Sequence, residues 1–237
     1  MKVAMVRVGI DTGSGGIHGP LFQDASFEYV PIPDDFHIDE RTYGNTPGRR
    51  GEPLITYFPR SRRQRIMNQS LHYDPEFQTF TYGDPTSPKA GLRRLERGDM
   101  LIFYCGLQGW DFECAPALYL MGYFEIEAAG RPSDFESADL IRKFANNFHV
   151  KHRNVYDAQR DRLVLVKGSS NSRLLKTAVR ISEMGSDCSG KPLKVLSPQM
   201  QKVFGQFGGR LSFQRSPTRW VDKAYAKQAV DFVTSLK

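Results

Sequence analysis

For its first two thirds the chain alternates short apolar runs with breaks marked by glycine or proline. Helical periodicity takes over afterwards. Residues 2–9 (KVAMVRVG) are apolar at most positions, the pattern of a mostly buried strand. Residues 27–32 predict a second short strand, closed by Pro31 and Pro33. Residues 34–53 hold Asp34, Asp35, Gly44, Pro47, Gly48, Gly51 and Pro53 and predict a long surface loop, of a length often kept for function. Residues 54–58 predict a strand, 88–97 one or two helical turns stopped by Gly98, and 100–105 a further strand. In 118–128, Tyr119, Met121, Tyr123 and Glu125 alternate with Leu120, Phe124 and Ile126 around Gly122, a strand with a bend or close approach at its glycine.

Residues 133–148 predict a helix with Ser137, Ile141, Phe144 and Phe148 on one stripe. Strands are expected over 163–166 and 177–182. Ser197 as cap and Pro198 in the first turn open a further helix, expected to end at Gly208-Gly209. A last helix is expected over 222–236, with Tyr225, Ala229, Phe232, Val233 and Leu236 on its apolar face. Strands early and helices late, without regular alternation, predict an α+β fold. Its expected form is a curved, mostly antiparallel sheet or partial barrel covered by helices, a PUA-like barrel being one version. No linker divides the pattern, so residues 1–237 are expected to make a single domain.

Charge adds a partner to this picture. The net charge is +7 and the isoelectric point about 9.3. Arg49, Arg50, Arg60, Arg62, Arg63 and Arg65 cluster around the apolar run at 54–58, and Arg93, Arg94 and Arg97 form a second group. Lys143, Lys151, His152 and Arg153 form a third. Arginine's planar fork suits phosphate, so a nucleotide or nucleic acid, DNA or RNA, is the expected partner. No apolar run reaches membrane-spanning length, and the three cysteines fit a reducing compartment, so a cytoplasmic location away from membranes is expected. Cys105, within an apolar run, reads as a small core residue.

The turn Gly9-Ile10-Asp11-Thr12-Gly13-Ser14-Gly15-Gly16 carries the most chemistry. Asp-Thr-Gly-Ser after a strand is the aspartic-peptidase pattern, but that reaction needs two aspartates sharing a proton, and no second Asp-Thr/Ser-Gly occurs. The first phosphate loop of sugar kinases and actin-like ATPases is similar, yet Phe207-Gly208-Gly209 lacks the acid a second loop requires. Asp11 with His18 remains as a candidate acid–base pair, and Gly15 and Gly16 as candidate phosphate contacts. Lys167, Ser169, Ser170 and Arg173 combine cations, hydroxyls and a glycine in one turn, as an anion site requires. Tyr104 and Trp110 are candidate base-stacking aromatics, Trp110 in an exposed loop. His149 and His152 could share a helix face, but no third ligand accompanies them, so no metal site is expected and both are read as solvent-facing. The residues name no cofactor.

Gly9-Ile10-Asp11, Gly15-Gly16, Pro20 and Pro31-Ile32-Pro33-Asp34 together resemble the opening of the third family of nucleotide modification associated domains. The resemblance continues through Gly98-Asp99 and the strand at 101–104, Gly122-Tyr123-Phe124-Glu125, residues 149–154, and Arg219-Trp220. It implies a role beside enzymes that modify bases in nucleic acid, without fixing a reaction. The arginine-rich segment 49–65 departs from the family's pattern. Residues 98–127 also resemble the strand pair of PUA-type and EVE-type barrels, which hold modified or flipped bases. That second resemblance implies a non-catalytic reader instead.

Overall fold

The computed structural model describes residues 1–213 and 217–236. Its strands are β1 (Val3–Arg7), β2 (Gly19–Leu21), β3 (Ile32–Pro33), β4 (Leu71–His72), β5 (Thr81–Asp84), β6 (Met100–Gly109), β7 (Ala117–Gly130), β8 (Val164–Gly168), β9 (Arg173–Arg180), β10 (Ser182–Ser186), β11 (Pro192–Leu196) and β12 (Arg219–Trp220). The helices are α1 (Arg60–Ile66), α2 (Ser137–Phe144), α3 (Phe148–Lys151), α4 (Arg153–Gln159), α5 (Pro198–Phe204) and α6 (Ala226–Ser235).

β6 is the axis of the sheet because residues 100–107 are all buried, so only a central strand covered on both faces satisfies them. β1 runs parallel to the first half of β6, from Val3 opposite Met100 to Arg7 opposite Tyr104. β2 takes the same edge further along, with Gly19 opposite Leu107. Between them the chain leaves the sheet after Val8, whose amide donates to the Tyr104 carbonyl, and makes the glycine-rich excursion of residues 9–18. Both ends of that excursion are therefore pinned to one strand.

On the other edge of β6, β7 pairs antiparallel. Phe103 faces Gly122 and Tyr104 faces Leu120, so Met121 is the extra residue of a bulge. Gly122 is needed beside it: a Cβ there would lie 2.8 Å from both the Phe77 ring and the Arg173 carbonyl. β7 then carries β8 and β9, and the strand order is β12-β1-β6-β7-β8-β5. The fold thus combines a large mixed sheet with several helices, and no closed barrel forms among the described residues.

Local departures from the expected pattern matter for the site. Residues 27–32 do not form a strand, since Pro31 and Pro33 remove ladder donors and leave only Ile32–Pro33 to pair with β4. Leu54–Tyr57 is a 3₁₀ turn rather than a strand, and the arginine-rich segment after it is α1. The helix expected over 133–148 is reduced to a 3₁₀ turn at Pro132–Asp134 and α2, and α3 begins only at its last residue, Phe148, with α4 following beyond it. The break falls at Asn147, whose side-chain oxygen accepts the His149 amide and starts α3 afresh. α5 keeps its Ser197 cap but stops at Gly205, which reaches the left-handed φ of +71° three residues before the Gly208-Gly209 pair.

Besides the main core, Ile10, Phe22, Val30, Tyr43, Leu54, Tyr57, Phe58, Ile66 and Leu71 make a second apolar cluster. It seats α1 and the 34–53 loop beside the glycine-rich excursion, which is why Tyr43, within a loop expected at the surface, is buried. No helix among the described residues is long and apolar enough to cross a membrane.

Candidate functional site

The excursion after β1 folds on itself. Gly13 donates its amide to the Asp11 carboxylate at 2.8 Å, and the Ser14 and Gly16 amides both donate to the Asp11 carbonyl. Gly15 and Gly16 hold φ of +94° and +81°, which glycine adopts without strain. A Cβ at Gly16 would sit 2.1 Å from Nη1 of Arg62, which donates to the Gly16 carbonyl at 2.8 Å. The amides at Gly13, Ser14 and Gly16 are thus spent inside the turn, and an arginine guanidinium seals its outer face.

Asp11 is 3 % exposed and pairs with Arg7 at 3.3 Å. His18 returns to the same place, its Nε2 3.3 Å from the Lys194 ammonium of β11. Burial, and after it the charges of Lys194 and Arg7, press the His18 imidazole down to about 4, with Asp11 and a hydrogen bond to Gln108 opposing. His18 is therefore neutral at pH 7. Burial and the charge of Arg7 also lower Lys194. The fold brings Asp11 and His18 into one polar cluster with Arg7 and Lys194, two cations that spacing alone did not indicate.

His18 also lines an open cleft of about 570 Å³ together with Gly16, Trp110, Tyr57, Arg60 and Arg63. Trp110 is 45 % exposed and stands edge-on to Tyr57, with ring centroids 5.3 Å apart. Arg63 donates to the Phe58 and Thr56 carbonyls and holds the cleft wall. The cleft thus joins the glycine turn, the start of α1 and the end of β6.

The other sequence candidates lie elsewhere. Tyr104, read as a stacking residue, is fully buried in the core with Phe213 against its ring at 5.0 Å, so no base can reach it. The turn holding Lys167, Ser169, Ser170 and Arg173 is not an anion cradle. Lys167 donates to the Thr79 carbonyl, while Ser169 and Asn171 both donate to the Glu125 carboxylate, a negative charge where phosphate would sit. Arg173 lies over the Tyr123 ring, 5.9 Å from its centroid. Gly98 and Asp99 form a clamp at the entry to the sheet, where Asp99 accepts the Lys2 amide at 2.6 Å and the Glu96 amide at 2.9 Å.

A second cavity, of about 320 Å³, opens beside Arg7 and Gly9 and was not visible in the spacing. His149, expected at the surface, is 2 % exposed in its wall. β4 supplies His72, the segment after it supplies Asp74, and α3 supplies His149. The Gly83 amide of β5 donates to both oxygens of Asp74, at 3.0 and 2.9 Å. His149 Nε2 lies 3.2 Å from Asp74 Oδ2 and its Nδ1 2.6 Å from Gln159 Oε1. Burial pushes the Asp74 carboxyl up to about 7, with His149 and the Gly83 amide opposing. For His149 burial acts downward, but the hydrogen bond and charge of Asp74 outweigh it and the imidazole is raised. His72 is held well below its ordinary value by burial and by His149 and His152.

Phe148 orders these rings. His72 stacks on it at 3.9 Å between centroids, and His152 packs against it at 5.0 Å. His152 is mostly buried, with its Nε2 3.5 Å from Asp39, which is paired with Arg41 through both carboxylate oxygens. Burial works against the Asp39 carboxylate, yet the hydrogen bonds and charge of Arg41 hold it well below its usual range. The expectation of two solvent-facing histidines on one helix is thus overturned, because the break at Asn147 turns α3 inward.

A family model described as nucleotide modification associated domain 3 matches residues 2–235. No curated protein sequence and no solved structure matches the chain.

Proposed function

Because the chain belongs to the third family of nucleotide modification associated domains, we propose that it binds a nucleotide or a nucleic-acid base in the Trp110 cleft and takes part in modifying it. One observation carries this reading: an exposed indole, a neutral histidine and two arginines, from three separate segments, line a single cleft. Trp110 offers a stacking face to a base, and Arg60 and Arg63 make the wall attractive to phosphate. His18, neutral at pH 7 and lining the cleft, is assigned as the acid–base group toward a bound nucleotide. Asp11 is a positioning residue in this scheme, since its carboxylate holds the turn and Arg7 rather than facing the cleft.

The alternative of a non-catalytic PUA- or EVE-type reader is the weaker reading. It relies on Tyr104 and Trp110 as a stacking pair, and Tyr104 is inside the core.

Fluorescence titration with mononucleotides and short DNA and RNA oligonucleotides tests the proposal. Trp110→Ala should weaken binding roughly 5- to 150-fold, the range for loss of one base–aromatic stack. His18→Gln should leave binding within about twofold while suppressing turnover of a nucleotide substrate. Equal binding by wild type and Trp110→Ala overturns the cleft assignment. Unchanged turnover in His18→Gln overturns the role of the histidine.

A further inference from the structure

We propose that Nε2 of His72, Nε2 of His149 and a carboxylate oxygen of Asp74 bind a divalent first-row transition-metal cation. One ligand atom from each of the three residues lies within 4.8 Å of the others. Bonds of about 2.1 Å place neighbouring ligand atoms about 3 to 3.5 Å apart. His149 and Asp74 already stand at that spacing, at 3.2 Å, and His72 Nε2 is 3.9 Å from the same Asp74 oxygen. A side-chain adjustment of about 1 Å in His72 completes the set.

The hydrogen-bond roles point the same way. Gln159 Oε1 only accepts, so at 2.6 Å it fixes the proton of a neutral His149 on Nδ1. The Nε2 lone pair then faces a carboxylate oxygen, an arrangement that requires a cation between them. A proton would satisfy that one contact. It would leave Nε2 of His72, which is buried without a hydrogen-bond partner among the described residues, still unsatisfied. A metal ion satisfies all three atoms at once.

The surroundings are those of a supported site. Gly83 anchors both Asp74 oxygens, Gln159 orients His149, and Phe148 stacks on His72, the outer contacts by which metal ligands are held in place. Two imidazoles with one carboxylate suit Zn²⁺, Fe²⁺, Mn²⁺, Co²⁺ or Ni²⁺ better than Mg²⁺ or Ca²⁺, which prefer oxygen alone. Three protein ligands leave coordination positions open toward the cavity of about 320 Å³. This inference does not rest on the Trp110 cleft, and either can fail without the other.

The test is titration of the chelator-treated full chain with Co²⁺, followed by visible absorption and calorimetry, with Zn²⁺ as competitor. One equivalent of Co²⁺ per chain is expected, displaced by Zn²⁺. His72→Ala and His149→Ala should each lose at least tenfold in affinity, while Asn171→Ala, which does not line the cavity, binds as wild type. Because a buried substitution can unfold the chain, wild-type protein is also examined by NMR of its histidine rings. Saturating Zn²⁺ should abolish the pH titration of His72 and His149. Absence of stoichiometric uptake overturns the site. So does a His149 ring that keeps both N–H protons at neutral pH in saturating Zn²⁺, since a proton then fills the gap.

Discussion

The Lys194 ammonium lies 3.3 Å from Nε2 of His18, tying β11 to the turn after β1 across 176 residues. Burial does most to keep the imidazole uncharged, and the nearby cations Lys194 and Arg7 add to it while Asp11 opposes it. The pH dependence follows from the sign. The folded-state value, about 4, lies below the ordinary 6.5, so the unfolded chain binds more protons between these limits. The contribution of His18 is complete above pH 6.5 and is lost as the pH falls through 4. For a part-exposed ring this is about 1–2 kcal/mol. Urea unfolding at pH 7 and pH 4.5 should show a smaller acid destabilisation in His18→Gln than in wild type, and an identical loss in the two proteins would refute the assignment.

Gly83 sets the approach of β5 to α3. A Cβ there would lie 2.7 Å from Cδ2 of His149 and 2.9 Å from Oδ1 of Asn147. Gly83→Ala should cost about 1–3 kcal/mol through overpacking. It should also displace His149 from Asp74. Chemical denaturation gives the first quantity and the histidine ring shifts the second.

Asn147 is fully buried and makes the cap that starts α3. Asn147→Ala should lower stability by about 0.5–2 kcal/mol, and Asn147→Asp, which keeps the accepting oxygen, should recover part of the cap. If the two variants unfold alike, the cap is not what turns His149 inward.

Gly16 tests the seal on the glycine turn. Any side chain at φ +81° is strained, and a Cβ would strike the Arg62 guanidinium. Gly16→Ala should therefore destabilise the protein by about 1–3 kcal/mol, with part of the loss shared by Arg62→Ala. A double-mutant cycle measures that coupling, and strictly additive losses would deny the contact.

Polynucleotide affinity should fall steeply with salt. Each phosphate neutralised adds about −0.9 to the slope of log K against log salt for duplex DNA and about −0.7 for single strands. Replacing Arg60 with alanine should make the slope shallower by about one such increment. An affinity insensitive to salt would remove phosphate from the cleft.

The sequence alone determined the elements whose neighbours in the chain suffice to specify them. The apolar run at 100–105 indicated the strand β6, Ser197-Pro198 indicated the start of α5, and the order of Gly-Ile-Asp, Gly-Gly and Pro-Ile-Pro-Asp indicated the family. It also placed Asp11 and His18 close together, since seven residues of a tight turn cannot carry them far apart. Tertiary structure decided the rest. Tyr104 and Trp110 are six residues apart with the same aromatic character, yet one is core and the other exposed, because β6 is covered on both faces until it leaves the sheet. His72 and His149 are separated by 77 positions, and no local period relates them. They meet because Asn147 breaks a helix and Gly83 leaves room for the ring that turns inward, and both effects act through space rather than along the chain.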